Sequence, residues 1–134
     1  MFAKRNVNRV VLDTNVFISG TTIGHTPPAQ LMNAWKNGSF VLVTSPEILI
    51  EIQEVLCRPE IIQFTGLSSK EIYEYLYEIE QRAYVTKGTY EVEEITSDSD
   101  DNIILACALE GYATHIVTGD TKSLLPLKEY HSVR

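Results

Sequence analysis

Three short runs of apolar, mostly β-branched residues constrain this chain more than any other feature. They are Val10-Val11-Leu12, Phe40-Val41-Leu42-Val43 and Ile116-Val117-Thr118. None shows the alternation of a strand with one wet face, so each reads as a strand covered on both sides. Segments at helical spacing lie between them. Thr26 caps a helix with Pro27 at its first position, Leu31, Ala34 and Trp35 on one face, and Gly38 at its stop. Ser45-Pro46 opens another, helical to about Arg58 and ended by Pro59. Ser68 and Glu71 form a capping box, behind which Ile72, Tyr75, Leu76, Ile79 and Ala83 recur with the helical period. Tyr84-Val85-Thr86 reads as a short strand, and Gly88 to Ser97 as acidic and irregular. From Asp100 to about Glu110 the chain is apolar nearly all round, which predicts a helix inside the domain, ended by Gly111. A loop is expected from Ser19 to Thr26, and a short helix around Leu124-Leu125 after Gly119-Asp120. Strands alternating with helices predict an α/β fold: a three-layer α/β/α sandwich around a central parallel sheet.

At 134 residues the chain is expected to be one domain, 1–134, with a core that needs no disulfide or structural metal. Cys57 and Cys107 lie far apart with no CxxC pattern, and are read as reduced thiols, Cys107 as a small buried hydrophobe. His25, His115 and His131 pair with nothing obvious. No apolar run approaches the roughly 20 residues that span a bilayer. Met1 to Arg9 lacks the apolar stretch of a secretory signal, so a cytoplasmic protein is expected. Eleven Lys and Arg stand against 18 Asp and Glu, a net charge of −7. A protein that grips nucleic acid by charge alone is basic, so any polyanion bound here requires the acids to be neutralised first.

Those acids gather where a parallel sheet places its ligands, off the carboxyl ends of the strands. Asp13 ends the first apolar run, Asp120 follows the last, and Asp98, Asp100 and Asp101 stand at the entrance to the apolar helix. Converging carboxylates repel, by about 4 kcal/mol for a pair ~4 Å apart at an effective dielectric of ~20. A hard cation relieves this, and an all-oxygen set suits Mg²⁺ or Mn²⁺ rather than zinc. Each acid also has a plainer reading. Asp13, followed by Thr14 and Asn15, suits the N-cap of a helix. Asp98 and Asp101 sit where a helix dipole favours acids anyway, and Asp120 after a glycine suits a turn. Glu47, Glu51 and Glu54 share one helix face as a solvated stripe, with Glu54 placed to pair with Arg58. Periodicity alone puts Glu51 on the surface, although at the border of the apolar arc. Tyr73 and Tyr77 flank the buried stripe with no basic residues between them, which suits a dimer contact better than base stacking.

Taken in order, four segments resemble the motifs of the PIN domain family. Val10-Val11-Leu12-Asp13-Thr14-Asn15-Val16-Phe17-Ile18-Ser19-Gly20 looks like its opening. Thr44-Ser45-Pro46-Glu47-Ile48-Leu49-Ile50-Glu51-Ile52 through Val55-Leu56 resembles the second motif. Asp98-x-x-Asp101-Asn102 leading to Leu105-Ala106-x-Ala108 resembles the third, and Ile116-Val117-Thr118-Gly119-Asp120 with Leu124-Leu125 the fourth. The likeness runs from Val10 to Leu125 and is strongest to the bacterial and archaeal branch described as toxins of toxin–antitoxin systems. It implies a Mg²⁺- or Mn²⁺-dependent ribonuclease. Asp13, Glu51, Asp101 and Asp120 match the acidic quartet, and Asp98 an extra acid that joins Asp13, Asp101 and Asp120 as metal ligands. Asn15 and Thr118, with Thr14, match polar residues that hold the acids. The resemblance reverses the periodicity reading of Glu51, leaves Glu47 and Glu54 as surface, and gives Asp100 no counterpart. The family usually continues into a last strand and helix, of which His131-Ser132-Val133 is expected to supply only the start.

Chemistry of this kind activates water with a divalent ion and uses no 2′-hydroxyl, so RNA products should carry 5′-phosphate ends. The implied partners are RNA, an antitoxin protein and a second copy of the chain; no membrane is implied. A dehalogenase-type phosphatase needs a second Asp two residues after the first, and that position is Asn15. A phosphoacceptor receiver needs an acidic pair and a late-strand lysine, and neither is evident. The alternative from another class is a catalytically silent PIN scaffold that binds protein or RNA.

Overall fold

The computed structural model describes residues 7–21, 26–89 and 99–118, the last segment with its side chains from Asn102 onward. Strand β1 (Arg9–Leu12) leads directly into helix α1 (Thr14–Ser19). Helix α2 (Pro27–Lys36) follows, then β2 (Val41–Thr44), α3 (Pro46–Leu56), α4 (Pro59–Thr65) and α5 (Ser69–Arg82). The chain then forms β3 (Tyr84–Val85), α6 (Ser99–Glu110) and β4 (His115–Val117). All pairings are parallel and the strand order is β3-β2-β1-β4. Val11 sits in register between Val43 and Ile116, and Leu12 beside Val117.

That order explains the layers. From β1 the chain steps outward through β2 to β3, then returns across β1 to place β4 on the other side. Parallel crossovers are right-handed, so reversing the direction of travel moves the connecting helix to the opposite face. Accordingly α6 packs on β1 and β2, while α1, α2, α3 and α5 pack among themselves. This is the three-layer α/β/α arrangement expected from the apolar runs. Between the layers Val11, Leu12, Phe17, Leu42, Val43, Ile48, Ile52, Leu56, Ile79 and Leu105 are fully buried. Each large apolar side chain withdrawn from water contributes about 1.5–3 kcal/mol.

The capping signals act as written. Thr26 accepts from Ala29 N at 3.3 Å, Ser45 from Ile48 N at 3.3 Å, and the Ser68–Glu71 box closes in both directions. No residue of α6 from Asn102 to Glu110 is exposed, as its composition required. Other expectations need correction. Pro59 starts α4 as well as ending the helix before it: with no N–H to satisfy, it occupies a first helical position after Arg58. Among the described residues Glu54 and Arg58 form no ion pair; both are exposed. Gly111 follows α6 for a reason other than a left-handed turn, which Tyr112 takes with φ 54°. A Cβ on Gly111 would stand 2.4 Å from Val43 Cγ1, so only glycine lets the chain end press on β2 at this point. The expected helix near Leu124-Leu125, the strand start at His131, most of the Gly88–Ser97 segment and residues 22–25 of the Ser19–Thr26 loop lie outside the described residues.

Candidate active site

The direction of the strand order reverses between β1 and β4, and the carboxyl ends of strands at such a switch point are where α/β sheets hold ligands. Asp13 stands there. Its backbone N–H donates to Val117 O at 3.1 Å, extending the β1–β4 pairing by one residue. Its side chain is buried, 8% exposed. Oδ1 accepts from Val16 N at 3.2 Å, so Asp13 is indeed the N-cap of α1. Oδ2 accepts from the Thr118 hydroxyl, which follows β4. Capping and ligand binding are not exclusive: a carboxylate has about four acceptor sites, and these two contacts use two.

Glu51 lies in the second turn of α3 and is half-buried, whereas Glu47 and Glu54 on the same helix are exposed. Thr14, buried at the start of α1, donates its hydroxyl to Glu51 Oε1. The packing of α1 on α3 therefore turns Glu51 inward, which periodicity within α3 could not foretell. Thr14 and Thr118 are the hydroxyls seen on these two acids, while Asn15 is exposed. One further polar tie fixes α1. Tyr75 donates its hydroxyl to Phe17 O at 2.8 Å, and burial, with Glu78 nearby, pushes its ionisation well above the usual tyrosine range. The stripe pattern placed Tyr75 correctly but gave no sign of this bond. On the other face, burial pushes the Cys107 thiol up to about 12, against a hydrogen bond from Ser45, so it is an inert packing residue.

The remaining candidates enter by chain position. Asp101, like Asp100, is in the first turn of α6, and its side chain is outside the described set; Asp98 and Asp120 are outside the described residues altogether. Among the described residues no group of three His, Cys, Asp or Glu side chains is close enough to hold a metal. Asp13 and Glu51 supply carboxylate oxygens of the kind a hard divalent cation takes, so the donor chemistry fits Mg²⁺ or Mn²⁺.

A parallel α/β domain with a buried strand-end carboxylate at its switch point leaves the kind of protein open. Comparison with known proteins narrows it. A family model for the PIN domain matches residues 9–122, and the chain belongs to the PIN domain family. It is 30% identical over 121 residues to the uncharacterized protein MJ1680 of Methanocaldococcus jannaschii, covering 90% of this chain and 76% of that protein. The fold is thus of nuclease type. No helix of the described residues is long and apolar enough to cross a membrane.

Proposed function

We propose that this protein is a Mg²⁺- or Mn²⁺-dependent endoribonuclease and the toxin of a toxin–antitoxin pair. The observation that carries the reading is Asp13: a buried carboxylate at the switch point, fixed by Val16 N and the Thr118 hydroxyl, with acceptor capacity to spare. Asp13, Asp101 and Asp120 would hold the divalent ion, with Asp98 as an accessory acid and Glu51 completing the set. When bound, the ion supplies positive charge for the scissile phosphate and lowers the pKa of a water. The chain's own residues position. Thr118 fixes the Asp13 carboxylate, and Thr14 holds Glu51 where it orients the attacking water. A chain with 18 acids against 11 bases approaches RNA best once the ion has offset local negative charge. Two cysteines without a disulfide agree with a cytoplasmic location. The reading includes an antitoxin protein and a second copy of the chain as partners.

The test is cleavage of single-stranded RNA with Mg²⁺ or Mn²⁺ and with EDTA. Cleavage that needs the ion and leaves 5′-phosphate ends supports the proposal. Cleavage that persists in chelator, or leaves 2′,3′-cyclic phosphate, contradicts it. RNA binding without cleavage would favour the silent scaffold.

A further inference from the structure

The candidate site shows two carboxylates, and one short helix touches both. Val16 N of α1 donates to Asp13 Oδ1 at 3.2 Å, and Thr14, the first residue of α1, donates its hydroxyl to Glu51. A shift or roll of α1 therefore moves the partners of both acids at once. Yet α1 has six residues, too few to hold a helix by its own hydrogen bonds. Its seat has to come from its surroundings. Val16, Phe17 and Ile18 are buried, and α1 packs on α2 and α3. Apolar packing is non-directional, so it leaves the tilt and roll of so short a rod to polar contacts.

A helix end leaves its last carbonyls without intrahelical donors. At the end of α1 two of them are met locally. Val16 O accepts from Gly20 N at 2.8 Å, and Ile18 O accepts from Thr21 N at 3.2 Å and from the Thr21 hydroxyl at 2.8 Å. Phe17 O lies between them in the chain. The Thr21 N–H that a continuing α-helix would offer it has turned to Ile18 O. Tyr75 takes that place from α5, 58 residues away, with its hydroxyl 2.8 Å from Phe17 O. Ring and hydroxyl have separate roles. The ring packs against the core beside the buried Ile72 and Ile79 of α5, and phenylalanine would serve there. The hydroxyl adds nothing to that packing, and burying it is unfavourable unless it is bonded. Burial also keeps it protonated, so the donor persists through neutral and mildly alkaline pH.

We infer that Tyr75 is a positioning residue for the candidate active site: its hydroxyl, bound to Phe17 O, sets the seat of α1 and through it the placing of Asp13 and Glu51. The chemistry it serves rests on the nuclease reading. Its mode of action does not, since the bond joins α5 to the backbone of α1. Small errors in placing catalytic groups are expensive, so a bond remote from the acids can govern the rate.

Two measurements test it, and the first needs neither metal nor RNA. Tyr75→Phe, Thr14→Val and the double variant are unfolded by denaturant in metal-free buffer. Each single variant should lose stability. The two ties hold one rigid element, so the double variant should lose less than the singles combined, whereas residues that share nothing would add. The second measures Mn²⁺ binding by calorimetry and cleavage of single-stranded RNA, well below each transition. Arg9→Met, altered at the other end of the sheet, is the control and should match the wild type in both. Tyr75→Phe should weaken Mn²⁺ binding and lower kcat by roughly tenfold or more, the range for groups that orient metal ligands. KM for RNA should hardly change, since the loss is one of positioning and not of uniform binding. Additive unfolding losses overturn the inference whether or not the protein is a nuclease. A Tyr75→Phe variant that binds Mn²⁺ and cleaves like the wild type overturns it too, and leaves the nuclease reading standing. A wild type that neither binds Mn²⁺ nor cuts RNA overturns the nuclease reading, and the positioning role with it.

Discussion

The two ends of the sheet treat charge in opposite ways. At the amino end Arg9 begins β1, and its guanidinium has two partners from the chain: Nε donates to Gly111 O at 2.9 Å and the group lies 4.7 Å from the Tyr84 ring centroid. Thr114 closes the same corner through Arg9 N at 3.0 Å and Arg9 O at 3.1 Å. A cation there is satisfied by a carbonyl and an aromatic face, and ties the edge strand β3 and the turn after α6 to the sheet centre. At the carboxyl end the charge is an anion. Asp13 is buried and held by a backbone N–H and a hydroxyl, both neutral donors. One end is finished with groups from the chain itself. The other carries a buried carboxylate whose two observed partners are both neutral.

The largest expected effect separates acids on one helix. Glu51→Gln should slow RNA cleavage about a hundredfold or more, the range for loss of a positioned acid–base group. Glu47→Gln should stay within about twofold of wild type, as usual for an exposed side chain away from the chemistry. Initial rates with Mn²⁺ measure both. Equal rates for the two variants would dissolve the contrast between inward and outward acids on α3.

The amino end should show the reverse. Arg9→Met keeps the apolar stem but loses the charged hydrogen bond to Gly111 O and the contact with Tyr84. It should cost about 1–2 kcal/mol in denaturant unfolding, with cleavage unchanged below the transition. Lost cleavage with unchanged stability would mean that the two ends are not divided in this way.

The smallest effect lies away from both. Hydrogen bonds from the Ser68 backbone and hydroxyl hold the Glu71 carboxyl below its usual range. A lowered folded-state pKa contributes stability above the unfolded value that is lost as pH falls through the folded one. The Tm gap between wild type and Glu71→Gln should therefore be present at neutral pH and close in acid. A gap that widens with falling pH would contradict the sign.

Much of this architecture was legible because it is local. Val10–Leu12 and Ile116–Val117 carry too little polarity to face water, and Ser68–Glu71 and Thr26–Pro27 write their helix starts within four residues. What escaped was non-local. The face of Glu51 is decided by Thr14, 37 residues earlier, and the role of Gly111 by Val43 on another strand. Helix α4 escaped because its residues are half-buried or exposed and leave no clear stripe to read. Of the site, the strand-end acid Asp13 follows from parallel topology, whereas its hydroxyl partner Thr118 was legible only through the family resemblance. The acids Asp98, Asp101 and Asp120 rest on motif order.

The most direct measurement is the melting of Asp13→Asn beside wild type, each with and without Mn²⁺. Asparagine caps a helix as well as aspartate, so the local structure should survive. In metal-free buffer the variant should melt at or above the wild-type temperature, since it removes a buried negative charge that forms no ion pair among the described residues. Mn²⁺ should then stabilise the wild type, by about 2.7 kcal/mol at a hundredfold excess over Kd, while the variant hardly moves and no longer cuts RNA. A variant that gains as much from Mn²⁺ as the wild type, or cleaves at the wild-type rate, would contradict the placing of the ion at Asp13.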